Sequence, residues 1–240
     1  MPKARRLADR GGINRDHTFC ASPVDSPFAD GYPQLPRPSG GSELTLDDTP
    51  TASDSLRDRM RRDSAGLHHA LDDRLGGLSL CDADGLTDFL RINERGFSAL
   101  AACTGQGADI AADLAERLRR DLAILNATPL PPAPAFPGGI SALAVDYVVL
   151  GSRLGTSFLK RIWAGAADPL VRRANNYFEA PAQADAWRDF CKQTCNMPPQ
   201  GDTADCVVDD IIRIFRLFCA SADMLPLRTT HCLKDTDERQ

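Results

Sequence analysis

Histidine is scarce in this chain, and that scarcity narrows the chemistry first. Four occur in 240 residues, His17, His68, His69 and His231. A multi-histidine metal centre in the body of the chain would have only His68 and His69 to draw on. No Cys-x-x-Cys pair occurs among the eight cysteines, and the closest spacing, Cys191 to Cys195, has no second knuckle to complete a zinc site. Thiols inside amphipathic runs, such as Cys219 in IIRIFRLFCA, read as small buried hydrophobes. The set reads as mostly reduced structural cysteines, since disulfide scaffolds are generally shorter chains. A basic excess is also missing: a net charge of −5 argues against a nucleic-acid binder. No run approaches the roughly 20 apolar residues that cross a bilayer, so no membrane span is expected. The amino-terminal MPKARRLADRGG lacks an apolar secretory core, and Asp9, Asp16, Asp25 and Asp30 disfavour an acid-poor transit peptide. The expected location is the cytoplasm. Lastly, no stretch alternates with period two long enough to build a sheet.

What is present is helical periodicity behind a proline-rich start. Residues 1–54 hold seven of the seventeen prolines and five glycines. Such a composition buries too little apolar surface to offset the entropy of ordering, so a disordered or loosely docked extension is expected. Phe19, Phe28 and Tyr32 are the residues with which it would dock. Ser53 or Asp54 is placed to cap a helix with the stripe Leu56, Met60, Leu67, Leu71, Leu75 and Leu78, closed by Gly76-Gly77. Further runs cover 84–103 and 108–125. The stretch PLPPAPAFPGG, residues 129–139, is a connector that no helix crosses. Beyond it ISALAVDYVVLGSRLGTSFLKRIWAG predicts a long, almost all-round apolar helix at the centre of the domain. Two more helices are expected at about 183–195 and 203–224, then a polar tail over 227–240. The prediction is an all-α domain of about six to eight helices over 55–226.

Two features carry chemistry. His68 falls in the series Ser64, His68, Leu71, Leu75, on the core-facing side of the first helix, whereas His69 is turned about 100° away. An inward histidine is a satisfied core residue or a ligand. Gly151 and Gly155 lie one turn apart in the most apolar helix, each costing about 1 kcal/mol relative to alanine. They leave a strip of bare backbone that serves close helix packing or the approach of a flat ligand. Together they suit a planar iron macrocycle, which takes an imidazole on one face and needs room on the other.

At these residues the sequence resembles the bacterial haem oxygenases, most closely the biliverdin-producing type found beside bacteriophytochrome genes. The likeness rests on Ser64-Ala-Gly-Leu-His68-His69-Ala-Leu-Asp72 and, some eighty residues on, Tyr147-Val-Val-Leu-Gly-Ser-Arg-Leu-Gly155. RLRRDLAILN and AWRDFCKQ add to it, over roughly residues 55–225. The resemblance implies a multi-helix bundle with haem b sandwiched between two helices, as both substrate and cofactor. His68 would be the iron ligand on the proximal face, and Gly151 and Gly155 would allow close backbone approach on the distal face. Ser152 would help order water there. Arg61, Arg188 and Lys192 match basic positions near the haem propionates. Thr156 stands where the family often has a second glycine, and could crowd the oxygen or hydrogen-bond to it. Leu150 stands where related sequences often carry glutamate.

The implied reaction opens haem to biliverdin, carbon monoxide and ferrous iron, using O2 and an external electron donor. The chain carries no nucleotide-binding glycine fingerprint, so electrons would come from ferredoxin or another reductase, and a bacteriophytochrome could accept the biliverdin. The alternative is a non-enzymatic haem-binding or sensing protein on the same fold. A carboxylate-bridged di-iron oxidase is disfavoured, because Glu94, Glu116 and Glu179 have no histidine three residues on. A plain helical interaction module would use the glycines for packing alone.

Overall fold

Ser55 opens the first helix. Its Oγ and Asp58 exchange hydrogen bonds, with Asp58 N–H donating to Oγ at 3.3 Å and Ser55 N–H donating to Asp58 Oδ2 at 3.2 Å. This reciprocal cap satisfies amides that a helix start otherwise leaves unpaired. The hydroxyl also donates to Asp58 Oδ2 at 2.6 Å, and these bonds hold the Asp58 carboxyl below the ordinary aspartate range. The computed structural model describes residues 55–226. The expectations for 1–54, including Ser53 or Asp54 as the cap, and for 227–240 lie outside the described residues.

Seven helices follow one another: α1 (Leu56–Gly76), α2 (Ala83–Leu100), α3 (Gln106–Ile124), α4 (Ala142–Ala164), α5 (Pro169–Arg173), α6 (Ala184–Cys195) and α7 (Asp202–Asp223). No strand occurs among the described residues, so the fold is all-α. The short α5 was not legible as a periodic run. It starts where Asp168 caps Leu170 N–H at 2.7 Å with Pro169 in the first turn.

Apolar stripes decide the packing. α1 sits on α7 and α6, α2 on α3 and α7, and α4 on α3, α7 and α6. Leu56, Met60 and Leu71 of the expected α1 stripe are buried, while Leu67, Leu75 and Leu78 cover the edge of the core. Phe97 meets Phe218 edge to face at 5.6 Å, and Trp163 stacks on Phe178 at 5.0 Å.

Carboxylates reaching from one element to another fix the register between them. Asp146 on α4 accepts Gly107 N–H at the start of α3 at 2.6 Å. Asp210 on α7 accepts Ser141 N–H at the start of α4 at 2.7 Å. Burial pushes the Asp146 carboxyl up, with the Gly107 bond opposing it. The 129–139 connector has no helical partners for its carbonyls, and arginines supply them. Arg95 Nε donates to Pro131 O at 2.9 Å and Arg213 Nη2 to Pro137 O at 2.6 Å.

α4 departs from the sequence expectation of a central helix. At 23 residues it is long and apolar enough by length and composition to cross a bilayer, a property that core helices of soluble proteins share, yet less than half of its most apolar window is buried. The half-covered positions Leu143, Tyr147, Gly151, Leu154 and Phe158 recur at steps of four, four, three and four. They form one open apolar stripe. The reason is topological: α3, α6 and α7 cover only part of its circumference.

Candidate functional site

His68 stands two-thirds of the way along α1, beside α7. Its ring meets Phe215 edge to face at 5.3 Å. Its Nδ1 lies 2.8 Å from Asp72 Oδ2, one turn further on, and the side chain is 26% exposed. A carboxylate only accepts, so Nδ1 carries the proton and, in the neutral ring, the lone pair sits on Nε2. Carboxylate–histidine pairs of this kind orient a ring for metal ligation. Ser64, one turn earlier, is buried and turns its hydroxyl back to Met60 O at 2.7 Å, so it does not compete for the ring. His69 is exposed, as the spacing predicted. Asp72 was quoted in the sequence motif without a role; its position at i+4 was the signal that could have assigned one.

α1 and α4 share partners rather than an extensive contact of their own. α6 and α7 each pack on both. Near one end, Cys81 in the turn after α1 lies 3.1 Å from Ile162 O on α4, placed to donate its thiol proton. Near the other, Leu56 N–H donates to Met197 O just past α6. These ties hold His68 and the open α4 stripe to a common scaffold of α6 and α7.

On α4, Gly151 is half-buried and Gly155 buried. A Cβ at Gly151 would lie 3.6 Å from Trp187 of α6, an ordinary contact. By contrast, a Cβ at Gly96 would overlap the Phe218 ring, and at Gly107 it would sit 2.8 Å from Asp146 Oδ1. Helix packing therefore requires glycine at 96 and 107 but not at 151, where it still costs about 1 kcal/mol of helix propensity. Trp187 in turn stacks on Phe190 at 5.6 Å and tilts toward Tyr147 at 6.1 Å.

The hydroxyls of the motif are engaged by their own helix. Ser152 Oγ donates to Val149 O at 2.7 Å, and the buried Thr156 Oγ1 donates to Ser152 O at 3.2 Å. Each proton is committed, so each oxygen is left to accept a hydrogen bond but not to give one. Leu150 is buried in the core.

Arginine on a helix is ordinarily solvated, and the sequence pattern gives Arg153, between the two glycines, no role. It is instead 2% exposed. Its guanidinium donates to Ala180 O at 3.2 Å and to Tyr177 O and Pro181 O at 3.4 Å, and lies 4.9 Å over the Tyr177 ring. Its Nη1 has no partner among the described residues.

The cations expected near the haem propionates lie on exposed faces of α1 and α6. Arg188 and Lys192 are exposed and paired with Asp185 at 2.7 Å and Asp189 at 3.2 Å, each one turn back on α6. Arg61 is exposed on α1, where its charge helps lower the Asp58 carboxyl. A cavity of about 330 Å³ lies elsewhere, between Leu56, Met197 and the start of α7 at Gly201–Ala204. Neither His68 nor Gly151 lines it. Among the described residues no cluster of three histidine, cysteine or acidic side chains could hold a metal ion. Six cysteines, Cys81, Cys103, Cys191, Cys195, Cys206 and Cys219, are free thiols. Compared with models of known protein families, with curated proteins and with solved structures, the chain matches none.

Proposed function

We propose that this chain is a haem oxygenase, binding haem between α1 and α4 and cleaving it with O2 to biliverdin, carbon monoxide and ferrous iron. The observation that carries the reading is the His68–Asp72 pair, 2.8 Å apart on a half-open face of α1. It leaves one ring nitrogen as a lone-pair donor and fixes the ring's orientation. Gly151 supports the reading from the other helix, since its own packing does not call for glycine. Where bound, haem itself supplies both the iron at which oxygen is activated and the ring that is opened.

The chain's own residues supply orientation. His68 would hold the iron through Nε2, with Asp72 keeping the Nδ1 proton in place. Gly151 would let the backbone of α4 lie close to the ring once Trp187 moved off it, with Gly155 one turn on, and the Leu154 and Phe158 side chains of the stripe would exclude water. Ser152 and Thr156 oxygens act as acceptors for ordered water. Arg188 and Lys192, now paired with Asp185 and Asp189, and Arg61 on α1 would supply the cations for the haem carboxylates.

A second reading, a haem carrier or sensor, is favoured by the committed hydroxyl protons of Ser152 and Thr156. One experiment decides between them. Purified protein receives one equivalent of hemin, and absorption is followed in air before and after ascorbate or reduced ferredoxin is added. A Soret band that forms and then gives way to a broad red biliverdin absorption establishes the enzyme. A band that forms and persists establishes the carrier, and no band removes haem altogether. His68→Ala is expected to abolish the axial signature, and His69→Ala to leave it intact.

A further inference from the structure

A flat ring already lies against the bare backbone of α4. A Cβ placed on Gly151 would meet the six-membered ring of Trp187, Cζ3 at 3.6 Å and Cη2 at 3.8 Å. Trp187 is half-buried, stacks on Phe190 at 5.6 Å and tilts toward Tyr147 at 6.1 Å. Tyr147 and Gly151 are successive positions of the open α4 stripe, so the tryptophan covers part of that stripe. It comes from α6, which packs on α4 and also on α1, the helix of His68. Trp187 therefore stands where a planar ligand held between α1 and α4 would meet the glycine.

The segment that carries Trp187 is held at its two ends. On one side Arg153 fixes the carbonyls of Tyr177, Ala180 and Pro181. On the other, Phe190 and Thr194 are buried, and Met197 O accepts the Leu56 N–H. Between these anchors none of residues 181–189 is buried. The helix starts at Gln183, which sits in the left-handed region at a φ of 58°, and no side chain caps its first turn. A turn with few buried contacts and an uncapped start opens at lower cost than the body of a fold. We propose that Trp187 is a built-in occupant of the ligand's place, lying on Gly151 in the ligand-free protein and swinging off it with the first turn of α6 when a flat ligand seats. The inference rests on the haem-cleaving reading for the identity of that ligand. Only molecules with the glycine uncovered can bind, so the apparent affinity is lowered by the fraction that is uncovered. Removing the indole then tightens binding, whereas removing a residue that merely walled the ligand would loosen it through lost contact area.

The test uses the full chain and two probes, hemin and its diamagnetic analogue gallium protoporphyrin IX. The chain has two tryptophans, Trp163 and Trp187. Labelling with 5-fluorotryptophan gives two fluorine resonances, assigned with Trp187→Phe, and the change of each on moving from H2O to D2O reads its exposure. The expected result is that gallium protoporphyrin IX raises the exposure of Trp187 and leaves unchanged that of Trp163, which is buried and bonded to Val171 O at 3.0 Å. Hemin titrations of the wild type, Trp187→Phe and Trp187→Ala follow, with circular dichroism to show that each is folded. Trp187→Ala should bind about threefold more tightly or better, with faster association, and Trp187→Phe should fall between. A Soret band in wild type and variant with equal or weaker hemin affinity in Trp187→Ala overturns the proposal and leaves the haem reading standing. An unmoved Trp187 resonance at saturating gallium protoporphyrin IX does the same. No Soret band in either protein removes the haem reading, and the displaceable occupant with it.

Discussion

Asp121 and Arg153 grip the same residue from its two sides. Asp121 Oδ2 accepts the Tyr177 N–H at 2.8 Å, and Arg153 Nη2 donates to the Tyr177 carbonyl at 3.4 Å. Both side chains are buried, so two opposite charges are joined through one residue's backbone groups. Asp121 also receives the Asn176 N–H at 2.9 Å and its side-chain amide at 2.7 Å. The segment leading into α6, and with it Trp187 against Gly151, is thereby anchored to α3 and α4.

Replacing Asp121 tests that anchor. Asp121→Asn is expected to destabilise the protein by about 1–3 kcal/mol at neutral pH, because the amide's NH2 must face a donor. Burial pushes the Asp121 carboxyl above the aspartate reference of 3.8, against its three hydrogen bonds. The folded state then binds this proton more tightly than the unfolded chain does, so the group's contribution to stability is fully present below 3.8 and is lost as pH rises through the folded value. The wild type's advantage over Asp121→Asn should therefore grow as pH falls through that window. Urea unfolding of both proteins between pH 7 and pH 4 reads it directly.

The Ser55 cap has the opposite sign. Asp58 is held below 3.8, first by the Ser55 hydroxyl, so its contribution is present above that value and disappears as pH falls through the folded value. Ser55→Ala should cost about 1 kcal/mol at pH 7, and less below pH 3. Thermal unfolding at the two pH values is the measurement; an equal cost at both would mean that the carboxylate takes no part.

Two glycines should behave differently. Gly151→Ala places its methyl group in ordinary contact with Trp187, and should raise stability by about 0.5–1 kcal/mol through helix propensity. Gly96→Ala collides with Phe218, and should lower stability by about 1–3 kcal/mol. If Gly151→Ala is stabilising yet weakens hemin binding, the glycine is retained for the ligand. Stabilisation with unchanged hemin affinity would assign it no such role.

Asp72→Ala removes the partner that fixes the His68 ring. Second-sphere losses of this type typically reduce metal affinity about 10- to 100-fold. The expected outcome is weaker hemin binding with the His68-ligated spectrum retained at saturation. An unchanged dissociation constant would show that the 2.8 Å contact does not tune the ring.

Much of the fold was legible one residue at a time. The steps of three and four in Leu56–Leu71 and Leu86–Leu100, and the proline break at 129–139, mark helices and their limits because a helix repeats every 3.6 residues and proline cannot continue one. His68 could be separated from His69 for the same reason. Tertiary structure decided the rest, since pattern reports which face is apolar and not what covers it. The α4 sequence is apolar nearly all round, yet the helices beside it leave the Tyr147–Gly151–Phe158 stripe half open. Arg153 reads as a solvated cation until the carbonyls of Tyr177, Ala180 and Pro181 converge on it. The pairing of Arg59 with Asp205 and of Arg119 with Glu94 emerges only in the folded chain, because pairing is a property of distances that the chain order does not contain.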